Sequence, residues 1–193
     1  TDSGGFQILS DFFLISSDHD HVLFNSPYGG KKHKLTPLQA IDIQLALGSD
    51  VAMCLDDVPR YGSTYRQVKS AVLKTHSWAR MQKDHHDKKT ISCSKKRKPL
   101  LFGIAQGGIF PDLREASIRF ISKLGFDGIA LGGLAIGETR EEMFTAIDAA
   151  APFFPKDRPL YVMGLGSPVD IIKCIGLGID CFDSIFPTRN ARH

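Results

Sequence analysis

Two carboxylates stand far apart in this sequence, each in a stretch equipped for chemistry. Asp2 belongs to Thr1-Asp2-Ser3-Gly4-Gly5-Phe6-Gln7, where an acid, a hydroxyl, two glycines, a ring and an amide share one short turn. Adjacent glycines let a backbone approach a ligand closely. Asp183 precedes Pro187-Thr188-Arg189-Asn190-Ala191-Arg192, whose two arginines suit phosphate oxygens. Paired carboxylates at one place are the equipment of glycosyl transfer: one traps the anomeric carbon and the other moves a proton. Asp56 and Gln106 offer acceptor and donor groups for the edge of a purine, and Phe6 and Met163 offer faces to stack on it. The glycines at 107, 108, 132 and 133 leave backbone N–H and C=O groups open to a ligand.

These residues need a scaffold that brings them together. Near-continuous apolar runs at 50–55, Leu100–Ala105, 127–131, 160–163 and 179–185 read as buried parallel strands. Helical patterns separate them. Thr36-Pro37 opens one that closes at Gly48; Thr64 opens another reaching about Gln82; Pro111 opens a third that stops at Gly125. Thr139-x-x-Glu142 is a capping box, and Ser167-Pro168-x-Asp170 opens a helix ending at Gly178. Repeated strand–helix units give an α/β fold with a parallel sheet. Asp56-Asp57, Gln106-Gly107-Gly108, Gly132-Gly133, Gly164-x-Gly166 and Asp183 all fall at strand C-termini, the ends that form the active-site mouth of a (β/α)8 TIM barrel. Such barrels run to about 250 residues. With 193 residues and no initiating Met, the chain reads as an incomplete barrel that begins inside a larger protein.

Composition agrees with one folded domain over residues 1–193: 42% hydrophobic and 23% charged residues can form a core. No apolar run reaches the length of a membrane span. The net charge of +3 permits a nucleic-acid partner without demanding one. The four cysteines form no C-x-x-C pair, and Cys54, Cys174 and Cys181 read as small buried hydrophobes, a pattern that suits a reducing cytoplasm. No metal-ligand spacing is complete. Asp18-His19-Asp20-His21 resembles a metal cluster but reads as a solvated loop leading into a strand, and His85-His86 reads likewise as solvated rather than ligating. The stretch 84–98 is polar and basic and reads as a surface loop or insertion, whose lysines at 95–98 either grip phosphates or are simply solvated.

TDSGGFQ at 1–7, LDD at 55–57, GIAQGG at 103–108, GGLAIGE at 132–138, YVMGLG at 161–166 and FDSIFPTRNAR at 182–192 resemble, in order, the motifs of the tRNA-guanine transglycosylase (queuine tRNA-ribosyltransferase) family. The resemblance implies a zinc-containing TIM barrel that exchanges the wobble guanine of tRNAs with a G-U-N anticodon, in queuosine biosynthesis. It implies Asp183 as nucleophile on C1′ and Asp2 as proton acceptor and donor. Asp56, Gln106, Ser3 and the backbone at Gly133 and Leu134 would hold the guanine edge, Phe6 and Met163 would sandwich the ring, and Arg189 and Arg192 would contact the anticodon loop. The zinc ligands are expected beyond residue 193, with no metal held by this chain, and a cytoplasmic homodimer is expected of the full-length protein. Leu55-Asp56-Asp57-Val58 looks eukaryotic, whereas Ile136 looks bacterial. A branched residue there should narrow the pocket and favours the precursor preQ1 over queuine as incoming base. A queuine-inserting form and a non-catalytic tRNA-binding subunit are the alternatives.

Overall fold

A computed structural model describes residues 1–8, 13–94 and 98–191. Its centre is a curled sheet of five parallel strands: β4 (Val51–Met53), β5 (Leu100–Ala105), β6 (Gly128–Leu131), β7 (Leu160–Val162) and β8 (Cys181–Phe182), hydrogen-bonded in sequence order. Each strand pairs with the next one along the chain, as Met53 with Phe102, Gly103 with Ile129, Leu131 with Val162 and Tyr161 with Cys181. Unbroken parallel order with a helix in every crossover is the geometry of a barrel wall, so the expected incomplete (β/α) barrel is what the chain forms.

The crossovers are α3 (Tyr65–Thr90), α4 (Pro111–Ser122), α5 (Arg140–Ala150) and α6 (Pro168–Gly176); α2 (Pro37–Ala46) precedes β4. Thr36, Thr64 and Thr139 cap α2, α3 and α5 through reciprocal boxes with Gln39, Gln67 and Glu142. Each such cap contributes about 1 kcal/mol and fixes where its helix starts. The outer face of the sheet buries Leu101, Ile129, Leu131 and Leu160 against Ile118, Ile121, Met143 and Ile147 of the helices. The inner face carries Met53, Phe102, Ile104 and Ala130, flanked by Tyr161 and Met163.

Three features differ from the sequence reading. First, α3 does not stop near Gln82: it runs to Thr90, so the first half of the 84–98 stretch is helix rather than loop. His86 lies on its inward face, fully buried, and is not a solvated loop residue. Lys95, Lys96 and Arg97 lie outside the described residues. Second, β1 (Leu14–Ser17), β2 (Val22–Asn25) and β3 (Lys32–Leu35) form a separate antiparallel sheet. It packs on α2 and α3 through Val22, Ala40, Leu55 and Trp78, and the Trp78 indole donates to the His19 carbonyl at 2.6 Å. The Asp18–His21 stretch is the turn between β1 and β2, with the Asp18 carboxylate accepting from the Asp20 and His21 amides. Third, Cys181 is exposed, because β8 is an edge strand of the described sheet; Cys54 and Cys174 are buried as expected. No helix among the described residues is long and apolar enough to cross a membrane.

Candidate functional site

At the C-terminal ends of the parallel strands lies an open cavity of ≈ 370 Å³. Asp2, Phe6, Asp56, Gly133, Leu134, Met163 and Asp183 line it, together with Tyr161 and Ile136. Residues separated by most of the chain therefore meet at one mouth. Asp2 arrives there because the start of the chain lies along the open edge of β4. The Thr1 nitrogen donates to the Val51 carbonyl at 2.7 Å, and Ser49 donates to the Thr1 hydroxyl at 2.6 Å. The Asp2 carboxylate then accepts from the Ser3 amide at 2.7 Å and from the Gln7 amide group at 3.3 Å. Phe6 sits on α1 (Gly5–Ile8) and is 56% exposed, a ring with a free face at the cavity rim.

Asp183 follows β8 directly. One of its oxygens accepts from the Tyr161 hydroxyl at 2.5 Å and from the Gly164 amide at 2.7 Å. Burial and the Asp183 carboxylate push the Tyr161 phenol above its ordinary range, with Asp2 adding to the effect, so the phenol remains a donor. Both donors grip the same oxygen of Asp183. The other accepts no hydrogen bond from the described residues, so its lone pairs are left open at the cavity wall.

The floor is built from Asp56 and Gln106. Two buried glutamines aim Asp56. Gln44 exchanges two hydrogen bonds with the Met53 backbone at 2.8 Å each, and Gln82 does the same with Leu55 at 2.7 and 2.9 Å. Asp56 is 4% exposed and accepts from the Gln106 amide group at 2.5 Å. Burial raises its carboxyl to about 7, with Asp2 and Asp57 adding to the rise and Gln106 opposing it. Gln106 is held by its own backbone: its N–H donates to the Ser117 hydroxyl at 3.1 Å, and Ser117 in turn meets His76 Nε2 at 3.0 Å. Burial lowers His76 to about 4, so this contact is made by a neutral ring. The Gln106 side-chain oxygen is buried with no hydrogen-bond partner among the described residues. Glycine is required beside this pair. A Cβ at Gly132 would lie 2.6 Å from the Gln106 nitrogen, and one at Gly133 would lie 2.2 Å from its oxygen.

Of the residues singled out in the sequence, Asp2, Phe6, Asp56, Gly133, Leu134, Met163 and Asp183 lie on the cavity wall, and Gln106 lies behind Asp56. Ser3 stands beside the wall, its hydroxyl accepting from the Gly5 amide at 3.3 Å. Arg189 lies on α7 (Phe186–Asn190), exposed and outside the cavity lining, and Arg192 lies outside the described residues. Sequence reasoning missed Tyr161, although its place two residues before Met163 on a strand put it on the same face. It also missed Arg114, discussed below.

Two acids from opposite ends of the chain thus border one slot, floored by the Asp56–Gln106 pair. A family profile described as Queuine tRNA-ribosyltransferase matches residues 1–193. The chain belongs to the queuine tRNA-ribosyltransferase family. It is 42% identical over 193 residues to the queuine tRNA-ribosyltransferase of Syntrophobacter fumaroxidans, covering all of this chain and 50% of that protein. Identity to the proteins of the same name from Thermotoga petrophila and Zymomonas mobilis is 44% and 39% over all of this chain, covering 50% and 49% of theirs. The chain thus spans about half the length of these curated relatives. The zinc implied by the family resemblance has no donor set here: among the described residues no group of three or more His, Cys, Asp or Glu is placed to hold a metal ion.

Proposed function

We propose that this chain supplies the catalytic mouth of a tRNA-guanine transglycosylase that exchanges the wobble guanine of G-U-N tRNAs for preQ1. In this reading the Asp183 carboxylate attacks C1′ of the guanosine and the C1′–N9 bond breaks. The departing guanine takes its proton from Asp2. The incoming base gives a proton to Asp2, attacks the same C1′ and displaces Asp183, so two inversions retain configuration. One N-glycosidic bond replaces another, and no ATP or redox cofactor enters the balance. Asp56 and Gln106 read the edge of the base, and Phe6 and Met163 cover its faces. Arg189 and Arg192 engage the anticodon loop. Ile136, on the cavity wall, narrows the side that a bulkier queuine would occupy. The same reading makes the complete protein a cytoplasmic homodimer, with a zinc ion held by residues beyond 193.

The observation that carries the reading is the meeting of Asp2 and Asp183 on one cavity whose floor is the Asp56–Gln106 pair. Retention of both acids argues against a non-catalytic tRNA-binding subunit. The test is exchange of labelled guanine into a G-U-N tRNA by the complete protein, with trapping of a covalent protein–tRNA complex. Binding of the tRNA without exchange would favour the accessory-subunit role instead. Exchange with queuine in preference to preQ1 would overturn the choice of incoming base.

A further inference from the structure

Arg114, on α4, is 1% exposed and donates to no carboxylate among the described residues, though the charge of Glu138 acts on it from farther off. Its guanidinium instead donates to four backbone carbonyls: Nε to Gly108 at 2.7 Å, Nη1 to Ala105 at 3.2 Å and Gly132 at 2.7 Å, and Nη2 to Gly133 at 3.0 Å. These carbonyls come from the ends of two adjacent strands, β5 and β6, and one planar fork ties both together. Burial lowers the guanidinium to about 9, which leaves it charged at neutral pH.

The direction of these bonds matters more than their number. In a trans peptide the C=O and the following N–H point opposite ways. With the Gly132 and Gly133 carbonyls turned to Arg114, the Gly133 and Leu134 N–H groups are turned away from it. Neither N–H meets an acceptor among the described residues, and both residues line the cavity. Resting on the transglycosylase reading above, we infer that Arg114 is a positioning residue for base recognition. It aims two consecutive peptide donors at the acceptor edge of the heterocycle, where the purine carbonyl lies. Gly107 lets the helix come this close: a Cβ there would lie 2.8 Å from the Arg114 nitrogen. A lysine ammonium is a point charge with three donors and cannot span four carbonyls around a plane.

The test compares wild type, Arg114→Lys and Arg114→Gln in the complete protein, with folding followed by circular dichroism. Two bases are used: guanine as exchange substrate, and 2-aminopurine, which lacks the carbonyl, as competitor. The folded variants should raise the guanine KM about tenfold or more while kcat stays within about threefold, and should cut the preference for guanine over 2-aminopurine by about tenfold. A merely structural arginine would lower stability and leave that preference unchanged. An unchanged preference in either folded variant overturns the inference, as does failure of both variants to fold. Absence of any exchange by wild type removes the transglycosylase reading and the inference with it, a result distinguishable from selective wild type with indifferent variants.

Discussion

Replacing Asp56 with Asn separates what this carboxyl costs the fold from what it gives the site. Its folded-state pKa of about 7 lies above the ordinary carboxylate range, chiefly because it is buried. The folded state therefore holds the proton longer than the unfolded chain does. Stability from this group is complete below about pH 4 and is lost as pH rises to about 7. At 1.36 kcal/mol per unit, the shift of about 3 units amounts to at most about 4 kcal/mol at pH 8. Asn carries no such penalty, and the unpartnered oxygen of Gln106 can turn to accept from its amide. Asp56→Asn should thus match wild type in denaturant at pH 4 and exceed it by about 2–4 kcal/mol at pH 8. Guanine binding should go the other way, because only the ionised form offers acceptors on both oxygens, as charge-assisted partners for the N–H groups of the base. Wild-type guanine KM should fall about tenfold between pH 6 and pH 8, and the variant should show a high, pH-independent KM. A wild-type KM that is flat over this range, or a variant with no stability gain at pH 8, would refute the reasoning.

Asp183→Asn should abolish the covalent tRNA complex on a denaturing gel and lower exchange by about a thousandfold or more, as loss of a nucleophile does. Tyr161→Phe removes one of the two donors that grip Asp183. A hydrogen bond to a charged group is worth about 1.5–3 kcal/mol, so kcat should drop about 10–100-fold while the complex stays trappable. Gly133→Ala places a Cβ against the Gln106 oxygen at a backbone φ of +66°. It should raise the guanine KM at least about tenfold and cost about 1–2 kcal/mol of stability in a denaturation curve.

Much of this architecture was written in local chemistry. The run Leu100–Ala105 is strand over its whole length because its apolar residues have both faces to bury, and all but Leu100 are buried. Thr36, Thr64 and Thr139 mark helix starts because a side-chain oxygen must meet the free N–H groups there. The second half of α3 was hidden for the opposite reason. Beyond Ala79 its buried positions, Gln82, His86 and Thr90, are all polar, so hydrophobic periodicity fades while burial continues. The antiparallel sheet was illegible because Lys32, His33 and Lys34 are all exposed and leave no alternation to read. At the site, the acids, glycines and aromatic residues announce themselves by type. Arg114 does not: an arginine on an amphipathic helix reads as solvated, and only the convergence of strand-end carbonyls beneath it draws it inward.

The glutamines at 44 and 82 make one wall of the pocket rigid. Each closes a ring of paired amide bonds around a single residue of the chain leading to Asp56, so a change at either would strand the buried N–H and C=O of that residue. That wall has little room to drift. Ile136 borders the same cavity without such paired bonds from its side chain, so its size can be changed with far less cost to the fold than that of either glutamine.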